Sequence, residues 1–306
     1  MFQEKKVVDK VSRAYLIGIL FLAFGNILFS GKAILVKIAY RYDTDASTLL
    51  ALRMLFSMPI YAFIAHRLQK NASTQILLTQ KQWILTIAAG FCGYYLGSLT
   101  DFMGLKYLSA GMERLILYTF PTIVLLLNVL FFKIKVTHHQ YIAVFLTYLG
   151  IFIAFGSDLK SGEQSNIWLG SLLIFTSAVT YSIYYVLAGQ MIPLVGSILF
   201  SCYSMLAATV FVLLHAILLN GFQLLHQNQM VYVVAFAIAI ISTVLPTFMI
   251  AEGIKRVGAS NGAIIGFVGP VSMIFMANIF LGEPITILQL IGTAVVLMGV
   301  LRVAKK

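Results

Sequence analysis

Five charged residues stand inside long apolar runs of this chain: Lys32, Arg53, Asp101, Glu113 and Arg114. A charge among hydrocarbon side chains loses its hydration, so it must pair, face water or meet a ligand. The densest case is Ser109 to Leu127, SAGMERLILYTFPTIVLLL, where Glu113 and Arg114 are adjacent about one turn inside the start. On a helix Arg114, Tyr118 and Pro121 fall at i, i+4 and i+7 and share a face. The chemistry on offer is recognition of a small charged molecule. Arginine grips a planar carboxylate through two parallel hydrogen bonds, so Lys32, Arg53 and Arg114 favour an anionic group. Glu113 would hold the ammonium of a zwitterion. Glu113 and Asp101 are the candidates for carrying a coupling proton, since burial disfavours the charged form of a carboxyl group. Further along, Tyr181, Tyr184 and Tyr185 recur at helical spacing and make an aromatic wall.

The substrate-binding candidates are therefore Lys32, Arg53, Glu113, Arg114, Tyr118, Tyr181 and Tyr184. Plainer roles compete at each position. Glu113 and Arg114 make sense as an anchor near the membrane interface, and Lys32 as a structural partner of Glu113 or Asp101. Arg53 stands closer to the end of its run, where an interfacial anchor is as reasonable as a ligand. The tyrosines suit an interfacial belt as well as a cavity wall. Gly90, Gly93, Gly97, Asp101 and Gly104 form one stripe, which places Asp101 against a neighbouring helix rather than lipid. No metal ligand set and no catalytic residue is expected.

Composition decides what must position these residues. Of 306 residues, 60% are hydrophobic and only 10% charged. Mean hydropathy is +0.96, and no water-soluble surface can be built from that. The apolar runs are continuous rather than alternating, which excludes a β-barrel. The net charge of +11 lies between the apolar runs, so membrane topology rather than nucleic acid accounts for it. Cys92 and Cys202 both fall inside apolar runs and make neither a disulfide framework nor a zinc site. The first apolar run is too long for a cleaved signal and is read as retained.

About ten spans are expected, each near the ~17–25 residues that a bilayer requires: 15–38, 47–68, 83–105, 109–132, 138–157, 167–190, 195–220, 230–254, 258–281 and 285–303. Lys5, Lys6, Lys10, Arg13, Arg67, Lys70, Lys81, Lys133, Lys135, Arg256, Arg302, Lys305 and Lys306 fall on one side of that alternation. Only Arg41, Lys106 and Lys160 fall on the other, beside Asp43, Asp45, Asp158, Glu163 and Glu283. The positive-inside rule puts both termini in the cytoplasm.

The chain also repeats itself. A shift of 149 pairs Lys106 with Lys255, Ala110 with Ala259, Pro121 with Pro270, Thr137 with Thr286, Gln140 with Gln289, Ile142 with Ile291 and Gly150 with Gly299. A shift of 152 sets Gly18, Gly25 and Lys32 against Gly170, Ser177 and Tyr184. An odd number of spans per half forces the halves to enter the membrane from opposite faces, the inverted-topology repeat of secondary transporters. Pro246 falls where the repeat places Gly97 and is a candidate bend.

The ordered set FGN with FSGKAILVK in the first span, Arg53, the approaches GLKYLSAG and GIKRVGAS, Pro121 with Pro270 and Gly150 with Gly299 resembles the EamA branch of the drug/metabolite transporter superfamily. Many members have Trp where Phe24 stands. The resemblance implies an all-α membrane protein of ten transmembrane helices, arranged as two inverted five-helix EamA repeats over 1–157 and 158–306. It implies a central cavity between the halves and transport of small organic metabolites. A bacterial inner membrane is the expected setting, and a monomer or weak homodimer the expected assembly. The expected partners are a small-molecule substrate and the lipid bilayer, with no cofactor and no nucleic acid.

The leading expectation is alternating-access transport, with export as the direction, of an amino acid or another carboxylate-bearing compound. A multidrug or cation efflux carrier, or a passive channel on the same fold, is the alternative. An intramembrane enzyme is disfavoured, since the sequence has no H-E-x-x-H helix and no GxSxG elbow. It has no GxxxxGK[ST] loop either, so ATP is not the direct energy source.

Overall fold

The computed structural model describes residues 2–71, 78–133, 141–142, 144–146, 148–153, 166–221, 224, 226–257, 265 and 268–304. Among them every regular element is helical. Seven helices are long and apolar enough to cross a membrane. In chain order with the shorter ones they are α1 (Ala14–Tyr40), α2 (Ala46–Lys70), α3 (Gln80–Gly104), α4 (Ala110–Phe131), α5 (Val144–Ile153), α6 (Ile167–Val195), α7 (Ser197–Asn220), α8 (Gln229–Gly253), α9 (Val268–Leu281) and α10 (Ile287–Ala304). The short apolar helices α5, α9 and α10 stand where the fifth, ninth and tenth spans are expected. The 157/158 boundary between the expected repeats lies outside the described residues, as do Lys135, Asp158, Lys160, Glu163, Lys305 and Lys306.

Helices dominate because hydrocarbon offers no partner to a backbone amide, and a helix satisfies its own. Their outer surfaces are apolar: Phe152, Trp168 and Leu218 are 76%, 73% and 84% exposed. No soluble protein keeps so much aromatic and aliphatic surface in water; lipid is the solvent these faces fit. The principal neighbours are α1 with α8 and α9, α2 with α7 and α8, α3 with α6 and α7, and α4 with α6 and α9.

Two helices carry a π-helical turn mid-span, Gly90–Leu96 in α3 and Ile240–Val244 in α8. In α8 the cause is local. Pro246 has no N–H to give the carbonyl one turn back, and the Thr243 hydroxyl donates to the Ile238 carbonyl at 2.9 Å. The expected bend thus takes the form of a widened turn just before the proline. In α3 no proline is present, and close packing accompanies the turn. A Cβ at Gly93 would stand 2.7 Å from Tyr184 Cβ, and one at Gly90 would meet the Ser204 carbonyl. Helix α4 is broken as well: Tyr118 and Thr119 form a turn between Ala110–Leu117 and Phe120–Phe132. Pro121 follows the break at once, and its missing N–H leaves the Leu117 carbonyl without its helical donor.

Candidate functional site

Four of the five intramembrane charges meet in one place. Lys32 Nζ lies 2.5 Å from Asp101 Oδ2, with side chains 10% and 2% exposed. Asp101 is carried inward because the glycine stripe of α3 packs on α6: Gly97 faces Thr180, and Gly104 faces Ile174 and the Gly170 carbonyl. Phe29, about one turn before Lys32, holds both cations of the site. Its ring lies 5.7 Å from Lys32 Nζ and 5.5 Å from the Arg114 guanidinium. The Phe29 carbonyl accepts from Arg114 Nη2 at 3.3 Å. A cation over an aromatic face in a desolvated place is held by roughly 2 kcal/mol.

Glu113 and Arg114 arrive on the first turns of α4, whose start is capped by the Ser109 hydroxyl accepting from Met112 N at 3.1 Å. Glu113 has no exposed surface. Its Oε2 is 4.0 Å from Arg114 Nε, an ion-pair distance too long for a hydrogen bond. Glu113 makes a side-chain hydrogen bond with Asp101, and Arg114 and Lys32 stand within its electrostatic reach. Arg114 Nε has no hydrogen-bond partner among the described residues. Arg53, from α2, is 3% exposed, deeper than its sequence position suggested. It lies over the Phe102 ring at 5.6 Å, and its Nε has no hydrogen-bond partner among the described residues. Tyr61, Asp101 and Tyr94 stand within its electrostatic reach.

Beside the charges stands an aromatic wall. Tyr181 and Tyr184 stack at 5.7 Å, Tyr185 meets Tyr181 edge-on at 5.1 Å, and Phe120 contacts both Tyr181 and Tyr185. Tyr94 of α3 shares a 2.9 Å hydrogen bond with the Tyr184 hydroxyl. Tyr118 joins through Phe120 at 6.4 Å, and both Tyr118 and Tyr181 lie within electrostatic reach of Arg114.

The sequence pattern of the EamA-like transporter family matches residues 16–156 and 168–304. The chain belongs to the EamA-like transporter family. It is 30% identical over 281 residues to the uncharacterized transporter YcbK of Bacillus subtilis (strain 168), covering 90% of this chain and 88% of that one. It is 24% identical to the uncharacterized transporter sll1319 of Synechocystis sp., covering 95% and 94%. A crystal structure of a protein 17% identical superposes with a TM-score of 0.64 over 95% of this chain and 96% of that one, a likeness of fold. This EamA chain is therefore an integral membrane protein of the drug/metabolite transporter superfamily.

In the EamA chain the sequence-derived site residues are neighbours. Of the two acids open to Lys32, Asp101 is the one it pairs with, and Arg114 stands by Glu113. The pair explains Lys32 without an open cavity wall. Sequence reasoning missed Phe29, Phe102, Tyr61 and Tyr94. Phe29 and Tyr94 were detectable only as aromatics in runs full of them. His215 is satisfied by the Tyr95 hydroxyl at 2.9 Å, and Glu252 with Arg256 forms an exposed i,i+4 pair at 2.9 Å.

Proposed function

We propose that this protein is a secondary transporter that moves a small carboxylate-bearing metabolite, an amino acid among the candidates, by alternating access between two inverted halves, 1–157 and 158–306. The observation that carries the substrate class is the pair of buried guanidinium nitrogens without hydrogen-bond partners among the described residues, Arg53 Nε and Arg114 Nε, collected beside Glu113 and the tyrosines. A buried donor or acceptor left unmet costs about 1–3 kcal/mol, so a ligand that meets them is bound strongly. Counting Lys32, Arg53 and Arg114 against Asp101 and Glu113 leaves one positive charge. The ligand's carboxylate goes to Arg114 and Arg53, and an ammonium goes to Glu113. Lys32 and Asp101 neutralise each other and hold α1 to α3. Glu113 or Asp101 carries the proton when transport is coupled to one. Export is the proposed direction, and the bacterial inner membrane with both termini cytoplasmic the proposed setting.

Ten spans and the inverted repeat are part of this reading. Support comes from neighbour pairs that survive the exchange of each helix with the one five places on: α1–α8 becomes α6–α3, α1–α9 becomes α6–α4, and α2–α8 becomes α7–α3. The π turns agree, since a shift of 149 carries Gly90–Leu96 onto 239–245 and the second turn is Ile240–Val244. Mid-span irregularities are a mark of substrate-handling helices.

A second reading has its own support. The ring cluster of Tyr94, Tyr181, Tyr184, Tyr185 and Phe120 is the kind of surface that holds a quaternary ammonium, which suits a cation efflux carrier. A thermal-shift screen of purified protein with succinate, L-amino acids, nucleosides and choline, followed by flux in proteoliposomes, separates the two. Stabilisation by succinate or an amino acid that Arg114→Gln abolishes supports the carboxylate reading. A response to choline alone replaces it with the second reading, and unsaturable flux replaces it with a channel. For topology, single cysteines at Lys160 and Lys133 are to label from opposite faces; labelling from one face would sink the inverted arrangement.

A further inference from the structure

A second polar space lies at the end of the bundle formed by the turns 41–45, 105–109 and 282–286. It is a pocket of about 600 Å³ lined by Lys37, Tyr40, Arg41, Asp43, Thr44, Asp45, Leu105, Lys106, Leu281 and Glu283, and that volume is in the range of small-molecule sites. Three of its six charges are engaged by the protein. Glu283 pairs with Lys37 at 3.0 Å and sits on the start of α4, accepting from Ala110 N at 3.0 and 3.1 Å. Asp45 accepts from Ser47 N at 2.8 Å, Thr48 N at 3.0 Å and Asn220 Nδ2 at 3.0 Å.

The other three face the pocket with capacity left. Lys106 lies over the Tyr40 ring at 5.3 Å, a contact that uses none of its N–H donors. The Arg41 and Asp43 side chains are exposed, and neither enters an ion pair or side-chain hydrogen bond among the described residues. An independent observation points to a ligand: the Thr44 hydroxyl on the pocket wall is buried, the residue being 6% exposed, and has no hydrogen-bond partner among the described residues. Tyr40 is the floor. Its hydroxyl donates to the Phe102 carbonyl at 2.6 Å, next to Asp101, so the pocket ends where the buried charge cluster begins.

We infer that this pocket is a second binding site, for the carboxylate of the transported molecule, in which Arg41 and Lys106 receive the anion, Thr44 adds a hydroxyl, and Asp43 accepts the ammonium of a zwitterion. The site is a waiting position above Tyr40, before entry to or after release from the buried cluster. Its cargo rests on the carboxylate reading of that cluster; its existence rests on the pocket's own residues.

The experiment uses the full chain in lipid nanodiscs with Cys92 and Cys202 replaced by alanine and a reporter thiol introduced by Thr44→Cys. Modification rates are measured with the anionic sulfonatoethyl and the cationic trimethylammonioethyl methanethiosulfonate, with and without millimolar succinate. The anionic reagent is expected to react faster, and Arg41→Gln with Lys106→Gln to lower the ratio of the two rates by roughly fivefold or more, since two charges act on reagents of opposite sign at close range. Succinate is expected to slow the reaction, and that protection is to vanish in the same double variant while persisting in Arg114→Gln. Protection that is absent, or that is lost with Arg114 instead of Arg41 and Lys106, overturns the second site. Protection that persists while succinate fails to stabilise or move through the protein keeps the site and overturns the reading of the buried cluster. Asp43→Cys is the second reporter should Thr44→Cys not fold.

Discussion

Removing one partner of the Lys32–Asp101 pair is predicted to cost far more than removing both. The two side chains are 10% and 2% exposed, so neither charge can recover hydration when the other is deleted. Breaking a buried pair in this way costs about 3–5 kcal/mol, against at most about 1 kcal/mol for a solvent-exposed pair. Asp101→Asn should be the milder single change, because Lys32 keeps the Phe29 ring at 5.7 Å, an interaction of roughly 2 kcal/mol where water is excluded. Lys32→Met should be the harsher. It leaves the Asp101 carboxylate against Glu113 with its cation gone. The double change Lys32→Met with Asp101→Asn removes both charges and their desolvation, and is expected to lie within about 1–2 kcal/mol of the original protein. The assay is SDS-titrated unfolding followed by circular dichroism for all four proteins, read as a double-mutant cycle. A coupling near 3 kcal/mol or above is the expected result. Single changes that cost under about 1 kcal/mol each and add without coupling would place the pair in water and refute the buried-cluster argument.

Gly93→Ala should destabilise by about 1–3 kcal/mol, the cost of overpacking, because its Cβ would stand 2.7 Å from Tyr184 Cβ and Cγ. Gly189→Ala, which meets nothing within 4 Å, should instead gain up to about 1 kcal/mol of helix propensity; the same SDS titration compares the two. Glu113→Gln and Arg114→Gln should each abolish saturable flux in proteoliposomes while the protein still elutes as a folded species in detergent. Asp45 lies outside the spans. Burial raises its carboxyl pKa, but hydrogen bonds from Thr48, Asn220 and Ser47 outweigh that and hold it below the ordinary value. A depressed folded pKa means stabilisation that is full above the unfolded value of about 3.9 and is lost as pH falls below it. Asp45→Asn should therefore lower the melting temperature at pH 7, with the difference closing below about pH 4.

The sequence by itself determined where the long helices run. Spans expected at 47–68, 109–132 and 195–220 correspond to Ala46–Lys70, Ala110–Phe131 and Ser197–Asn220. The reason is local: a bilayer accepts only a segment whose backbone bonds itself and whose side chains are apolar for some 20 residues, and both properties belong to the segment alone. The breaks also follow from single residues, Pro121 for α4 and Pro246 for α8. The glycine stripe of α3 was legible for the same reason, since small residues at helical spacing can face only a close neighbour.

Which neighbour, and in what rotation, only the tertiary structure decided. Lys32 had Asp101 and Glu113 as possible partners of equal sign, and spacing along the chain does not choose between acids on different helices. The choice follows from α3 packing against α6 through Gly93, Gly97 and Gly104, which turns Asp101 toward Lys32. Arg53 looked interfacial from its distance to the span end, yet Phe102 covers it, and that cover is made by another helix. The loop-end pocket was the least legible. Its walls come from turns near positions 41, 106 and 283, and Glu283 sits on a helix start 173 residues away in the chain. Such a contact exists only once the helices have assembled, because lateral order in a bundle is set by shape and charge matching between spans, which no single span contains.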